Sequence, residues 1–193
     1  MIRRAFIVAL LLISTLCVTA QRTVDFIEEY IDFEIDETGF YINGIYTFCN
    51  SSEKEINQLI FFPFANEAKA IDSIRVTNLN TVKNVPFDRR ERGISFTFTL
   101  PPKDTVNLNI FYRQKAAKTN TYIITSAKSW GKPLKKAVYT LKTPADMRIE
   151  SFSFAPDSQK GIGNKQLYSW AKEDFTPDLD FVVVVEERSV LAE

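Results

Sequence analysis

The sequence predicts an all-β fold, an antiparallel β-sandwich of about eleven or twelve strands. Apolar and polar residues alternate within many short runs, a pattern typical of strands with one buried and one solvated face. Turn-forming residues separate these runs at intervals of about 8 to 15 residues. No segment after residue 20 shows convincing helical periodicity, and this combination is typical of sandwiches and barrels.

Residues 24–35 predict a long outer strand with one apolar face. Strand side chains alternate between the two faces of a sheet, so residues two apart lie on the same face. One face carries Ile27, Ile31, Phe33 and Ile35, and the other carries Glu28, Asp32 and Glu34. The turn at residues 36–39 then leads into the next strand.

Residues 39–64 predict a pair of strands joined by a short polar turn. In the first strand Tyr46 and Phe48 lie on one face, and the intervening residues lie on the other. The apolar run at residues 56–64 is too continuous for a surface strand. It predicts a strand covered on both faces, or the wall of a sandwich core. Pro63 has no N–H and is expected at a strand end or an edge.

Residues 94–100 show the clearest alternation in the chain, because Ile, Phe and Leu take turns there with Ser and Thr. One face is therefore buried and one is wet, which favours an antiparallel sheet. Residues 101–104, Pro-Pro-Lys-Asp, predict a turn, and the alternation resumes at residues 106–112. A strand of mixed pattern is predicted earlier, at residues 71–76.

The second half predicts a further series of short strands. They lie at residues 122–125, 137–143, 148–154, 167–171 and 181–185. Pro144 and Pro156 are expected to end two of them, because proline cannot donate to a strand ladder. The last strand contains four consecutive valines, and this continuous apolar run predicts a central position in its sheet.

The first 20 residues predict a cleavable signal peptide. Arg3 and Arg4 precede an uncharged stretch at residues 5–20 that ends in small residues, as secretory signals do. This stretch is shorter than the roughly 20 residues of a membrane-spanning helix, so cleavage is favoured over an uncleaved anchor. The mature chain, residues 21–193, is then one β-sandwich domain without a transmembrane helix. It is expected to be exported to the periplasm, the cell surface or the extracellular space.

Charge and cysteine usage narrow the range of partners. The mature chain keeps 22 basic and 24 acidic residues, so a nucleic acid partner is not expected. Cys17 lies in the predicted signal, where Leu16 before it argues against a lipid-attachment site, although lipidation stays open. Cys49 is the remaining cysteine and lies in an apolar strand, which favours a buried free thiol.

The absence of histidine excludes several kinds of catalytic site. It removes Ser-His-Asp and Cys-His nucleophilic sites, the HExxH zinc helix and most mixed-ligand zinc sites. The glycines at residues 161 and 163 lack the spacing of a phosphate-binding loop, so no cofactor is expected. Paired carboxylates could still hydrolyse glycosidic bonds. The candidate pairs, Glu28 with Glu34 and Glu186 with Glu187, are better explained as solvated strand faces.

Three acidic residues precede the last strand. Asp178 and Asp180 point the same way on an extended segment and, with Asp174, could supply oxygen ligands to calcium. A capped turn ahead of the strand explains them more simply, so no metal site is predicted.

Aromatic residues near strand boundaries are the candidate contacts with a partner. Trp130 lies in a polar segment with a Gly-Lys-Pro turn and is expected in a loop, with Tyr122 and Trp170 as neighbours. An aromatic ring there either plugs the end of the core or stands out as an anchor for a partner. Core packing is favoured for Trp130 and Trp170, and contact with a partner stays open for both.

Residues 44–64 and 100–112 resemble part of the N-terminal β-sandwich of zinc peptidases of the aminopeptidase-N type. They are also similar to small exported bacterial β-sandwich domains of unknown function. Residues 136–141, with Pro144 and Ser151, resemble a later part of the same sandwich. The catalytic zinc domain of those peptidases has no counterpart here. The resemblance therefore implies the fold and an accessory or binding role.

The predicted function is a non-enzymatic binding or structural module of the cell envelope or the extracellular space. Its partner would be a protein or a glycan of unknown identity. No catalytic residue stands out in the sequence. The alternative is a carboxylate-based hydrolase that acts on glycans.

Overall fold

A computed structural model describes residues 23–186 and confirms the all-β fold class. The strands are β1 (Val24–Ile35), β2 (Phe40–Asn50), β3 (Ile56–Pro63), β4 (Ile71–Asn78), β5 (Lys83–Asn84), β6 (Phe87–Arg90), β7 (Gly93–Leu100), β8 (Thr105–Gln114), β9 (Thr119–Tyr122), β10 (Leu134–Pro144), β11 (Ile149–Phe152), β12 (Ser158–Ile162), β13 (Lys165–Phe175) and β14 (Phe181–Val185). Short 3-10 helices span Ala68–Ala70 and Thr125–Trp130. Neither is long and apolar enough to cross a membrane. The predicted signal peptide lies outside the described residues.

The strands form one large sheet and two small ones. The large sheet has eight strands in the order β12-β13-β10-β1-β2-β8-β4-β5, and the small sheets have the orders β11-β14-β9 and β3-β7-β6. Aromatic side chains join these layers: Phe33 of β1 stacks on Phe181 of β14 at 4.3 Å, and Phe48 of β2 lies 5.1 Å from Phe98 of β7. Both small sheets therefore pack on the inner face of the large sheet, which is a sandwich arrangement.

The large sheet contains one parallel pair, between β1 and β10. The other strand pairs of residues 23–186 are antiparallel, as predicted. The parallel pair joins strands from the two halves of the chain at the centre of the sheet. Alternation within a strand says nothing about such a long-range partner, so the sequence did not predict it.

Strand β3 is covered on one face only, so the prediction of cover on both faces is wrong. Ile60 and Phe62 are buried, whereas Leu59 is 65% exposed and Phe61 is 55% exposed. The alternative prediction, that this run forms the wall of a sandwich core, agrees with the structure. β3 lies at the edge of its sheet, and Pro63 is its last residue, as expected.

A β-bulge changes which residues of β1 face the interior. The pairing of β1 with β2 shifts register between Phe26 and Glu28, which leaves Ile27 without a partner. Phe26 is buried and Ile27 only half-buried, so the placement of Ile27 on the buried face is wrong. Beyond the bulge the odd-numbered residues face inward, and Glu29 is the first of them.

Two further predictions about buried positions have different outcomes. Strand β14, with its four valines, lies at the centre of its small sheet, as predicted. Cys49 is half-buried and not buried as expected, because it lies on the face of β2 opposite Tyr46 and Phe48. Cys17 lies outside the described residues.

Candidate ligand cavity

A cavity of about 740 Å³ lies between the large sheet and the small sheet that contains β3. Side chains of β1, β2, β3 and β7 form most of its wall, and the 3-10 helix Thr125–Trp130 completes it. The exposed side chains of Leu59 and Phe61 contribute to the lining, so the cavity reaches the free edge of β3. Its lining is mostly aromatic and aliphatic, and its volume lies within the roughly 300 to 1,000 Å³ that is usual for small-molecule sites.

Trp130 is part of this cavity wall. It is the last residue of the 3-10 helix, which Gly131 ends in the left-handed conformation at φ 75°. The prediction that Trp130 lies in a loop is therefore wrong in detail. Its half-buried ring lies 5.4 Å from the ring of Phe48 and 6.1 Å from that of Phe26, measured between centroids. The side chain both packs on the core and faces the cavity.

The helix that carries Trp130 is fixed at its start by Asp180. The backbone N–H and the hydroxyl of Thr125 both donate to Oδ1 of Asp180, at 3.0 and 2.7 Å. The strand predicted at residues 122–125 ends at Tyr122, and Thr125 is the first residue of the helix. Asp178 forms an ion pair with Lys128 at 2.9 Å. Within residues 23–186 no three acidic or cysteine side chains lie close enough together to hold a metal ion, and this includes the set Asp174, Asp178 and Asp180.

Tyr122 also lines the cavity, at the end of β9. It is buried, and its hydroxyl lies 2.7 Å from the hydroxyl of Tyr46 on β2. This hydrogen bond connects a small sheet to the large sheet. Burial raises the pKa of both phenols well above the ordinary value, so both stay neutral at physiological pH.

Gly44 provides the space in which the ring of Tyr46 lies. A Cβ atom at Gly44 would lie 2.3 Å from the Tyr46 hydroxyl oxygen and 2.5 Å from Cζ of the same ring. Tyr46 is packed in the core, so its ring cannot swing freely away from such a clash. Because residue 44 has no side chain, the ring of Tyr46 has room to lie where its hydroxyl meets that of Tyr122.

We expect Gly44→Ala to lower the free energy of unfolding by about 1 to 3 kcal/mol, the usual cost of overpacking a core. Urea denaturation followed by circular dichroism measures this change. Gly161→Ala is the matched control, because the nearest heavy atom to its Cβ would lie 3.9 Å away. Equal stability of the two variants would contradict the close approach of Tyr46 to Gly44.

Among the described residues Glu29 is the one acidic residue of the cavity wall, and sequence reasoning missed it. It is 2% exposed, and the hydroxyl of Tyr139 on β10 donates to its Oε1. Within the described residues no hydrogen bond reaches its Oε2. Loss of hydration raises the pKa of Glu29 to about 7, although the bond from Tyr139 acts in the opposite direction. The alternation that placed Ile31 and Phe33 on the inner face of β1 also places residue 29 there. That pattern could have identified Glu29 as a buried acidic residue.

Trp170 lies in a different part of the core from Trp130. It is 1% exposed, its ring meets that of Phe181 edge-on at 5.0 Å, and its indole N–H donates to the carbonyl of Phe154 at 3.2 Å. It is not part of the cavity lining. The structure therefore brings two of the three predicted contact residues, Trp130 and Tyr122, to one cavity. Their contact with a partner stays a prediction.

A solved structure of another protein shares this fold. A crystal structure of a candidate nutrient binding protein from Legionella pneumophila matches with a TM-score of 0.71 and 16% sequence identity, over 86% of this chain and 67% of that chain. Yeast LTA4 hydrolase matches with a TM-score of 0.49 and 10% identity, over 84% of this chain and 29% of that chain. No protein-family model and no curated protein matches the sequence. At 16% identity the Legionella structure supports the predicted β-sandwich resemblance at the level of fold.

Proposed function

We propose that this protein is a non-enzymatic binding module that holds a small, largely apolar organic ligand between its sheets. The observation that carries the proposal is the cavity of about 740 Å³ beside Trp130 and Tyr122. Burial of apolar ligand surface against such a wall provides the main driving force for binding. The Legionella protein of the same fold is described as a candidate nutrient binding protein, which agrees with this role.

The arrangement of carboxylates favours binding over glycoside hydrolysis. Glycoside hydrolysis uses two carboxyl groups, one on either side of the scissile bond. In the described part of the chain the cavity wall contains one carboxyl side chain, that of Glu29. Glu28, Glu34 and Glu186 lie outside the cavity lining. Glu34 pairs with Lys165 at 2.5 Å and Glu186 with Arg148 at 3.8 Å. Glu187 lies outside the described residues.

We propose export of the mature protein on the pattern of residues 1–20. That pattern has a basic start, an apolar middle and small residues before Gln21. A ligand-binding module in the cell envelope or outside the cell would meet its ligand in that compartment.

The neutral fluorescent probe N-phenyl-1-naphthylamine tests the cavity. We expect its emission to rise saturably with the wild-type protein, because an apolar site excludes water from the probe. Ser126 is an exposed residue of the cavity lining, so Ser126→Phe is expected to narrow the cavity and weaken binding by at least about tenfold. Lys128→Phe, on the same helix but outside the lining, is the matched control. Absence of saturable binding, or equal loss in both variants, would contradict the proposed function.

A further inference from the structure

The described lining of the cavity has an acidic side chain and no basic one. In the described part of the chain its lining contains one carboxyl group, that of Glu29, and neither lysine nor arginine. The remaining lining side chains are apolar or uncharged. An anionic ligand would meet a negative group without a compensating cation, whereas a cationic ligand would meet its counter-charge.

Glu29 lacks a partner for its charge. Oε1 accepts a hydrogen bond from the Tyr139 hydroxyl, and in residues 23–186 no donor reaches Oε2. Glu29 is only 2% exposed, and it lines the cavity. A buried carboxylate without a cation is costly. A ligand in the cavity is therefore in position to supply the missing donor and the missing positive charge.

The groups around Glu29 do not supply that charge themselves. Tyr139 lies on β10, Tyr46 lies across from Glu29 on β2, and Tyr122 lies on β9; each interacts electrostatically with Glu29. Burial raises the pKa of each of these phenols above its ordinary value, so they are neutral donors or acceptors near pH 7. The aromatic rings of the wall, including Trp130 and Phe48, are suited to an organic cation, since ring faces attract cations.

We infer that the cavity selects organic amines, with the protonated nitrogen at Oε2 of Glu29 and the apolar body against the aromatic wall. This inference rests on the proposed function and adds the chemical class of the ligand. Glu29 provides the selectivity for a cation. Trp130 and its aromatic neighbours provide contact with the apolar part of the ligand.

Three phenyl compounds of similar size test the inference: 2-phenylethylamine, 2-phenylethanol and 3-phenylpropionate. They compete with N-phenyl-1-naphthylamine at pH 8, where the amine is protonated. We expect the amine to bind at least about tenfold more tightly than the alcohol, and the carboxylate to bind most weakly. In Glu29→Gln the difference between amine and alcohol should vanish. Probe binding with no preference for the amine would overturn this inference alone, whereas no binding of any compound, the probe included, would overturn the proposed function as well.

The pH dependence in the wild-type protein gives an independent test, which holds even if Glu29→Gln does not fold. Binding of a cation requires ionised Glu29, whose pKa without ligand is about 7. The affinity for 2-phenylethylamine should therefore rise about tenfold between pH 6 and pH 8, with release of a proton on binding. The affinity for 2-phenylethanol should stay flat or fall. Isothermal titration calorimetry in two buffers measures both quantities, and an amine affinity that is flat or falls over this range would overturn the inference.

Discussion

The wild-type protein is expected to lose about 2 to 3 kcal/mol of unfolding free energy between pH 5 and pH 8, and Glu29→Gln should lose almost none. Burial raises the pKa of Glu29 from 4.5 to about 7. Folding therefore favours the protonated carboxyl group. Its stability contribution is fully present below pH 4.5 and is lost as the pH rises through 7. One pKa unit corresponds to about 1.4 kcal/mol, so the full loss is about 3 kcal/mol.

The range from pH 5 to pH 8 isolates this effect. The chain has no histidine, which is the side chain that ordinarily titrates in this range. The pKa values of Asp36, Asp72 and Asp157 are lowered, so the stability that they contribute is lost only at more acidic pH. Glu29 is therefore the main source of any pH dependence between these limits.

Urea denaturation at both pH values, followed by circular dichroism, measures the change. Glu28→Gln is the control on the same strand, because Glu28 is only half-buried and lies outside the cavity lining. It should keep the pH dependence of the wild-type protein. A wild-type protein that is equally stable at pH 5 and pH 8 would show that Glu29 is hydrated in solution.

The sequence predicted best those strands that have one wet and one buried face. β7 and β8 fall where alternation placed them, because each buries every second side chain. β3 was harder, since apolar residues occupy both of its faces and the exposure of Leu59 and Phe61 depends on which elements cover them. The parallel neighbours β1 and β10 are far apart in sequence, so periodicity could not pair them.

The cavity was only partly predictable from the sequence, because its lining residues are distant in the chain. Trp130 could be picked out because an aromatic residue in a polar, turn-rich segment is unusual. Glu29 is one acidic residue in a strand that carries several. It shares the inner face of β1 with Ile31 and Phe33, but alternation alone does not show that a cavity lies beside that face. The lining also joins residues from β1, β3 and the 3-10 helix, whose proximity is a property of the tertiary fold.

Trp170 packs in the core, the interpretation that the sequence favoured over contact with a partner. It shares the inner face of β13 with Tyr168, two residues away, and both are buried. This spacing is the ordinary mark of a core position. Its place near a strand boundary was the weaker observation, because β13 continues to Phe175.

The two tryptophans are expected to respond differently to alanine. Trp170→Ala should lower the free energy of unfolding by about 3 to 5 kcal/mol, because it empties a fully enclosed site between Phe181 and Phe152 and removes a buried hydrogen bond. Trp130→Ala should cost less, about 1 to 2 kcal/mol, since half-buried aromatic contacts with Phe48 and Phe26 are lost and no closed cavity forms.

Ligand binding should be affected more by a substitution at Trp130 than by one at Trp170. Trp130→Ala removes part of the cavity wall and should weaken binding of N-phenyl-1-naphthylamine by at least about tenfold. Trp170→Phe keeps an aromatic ring in the core without the N–H donor, so it should bind the probe normally with an intermediate loss of stability. Circular dichroism follows unfolding in all three variants, since removal of a tryptophan changes the fluorescence itself. If Trp130→Ala unfolds outright, Trp130 is a plug of the core; if it binds the probe as tightly as the wild-type protein, the ligand lies elsewhere.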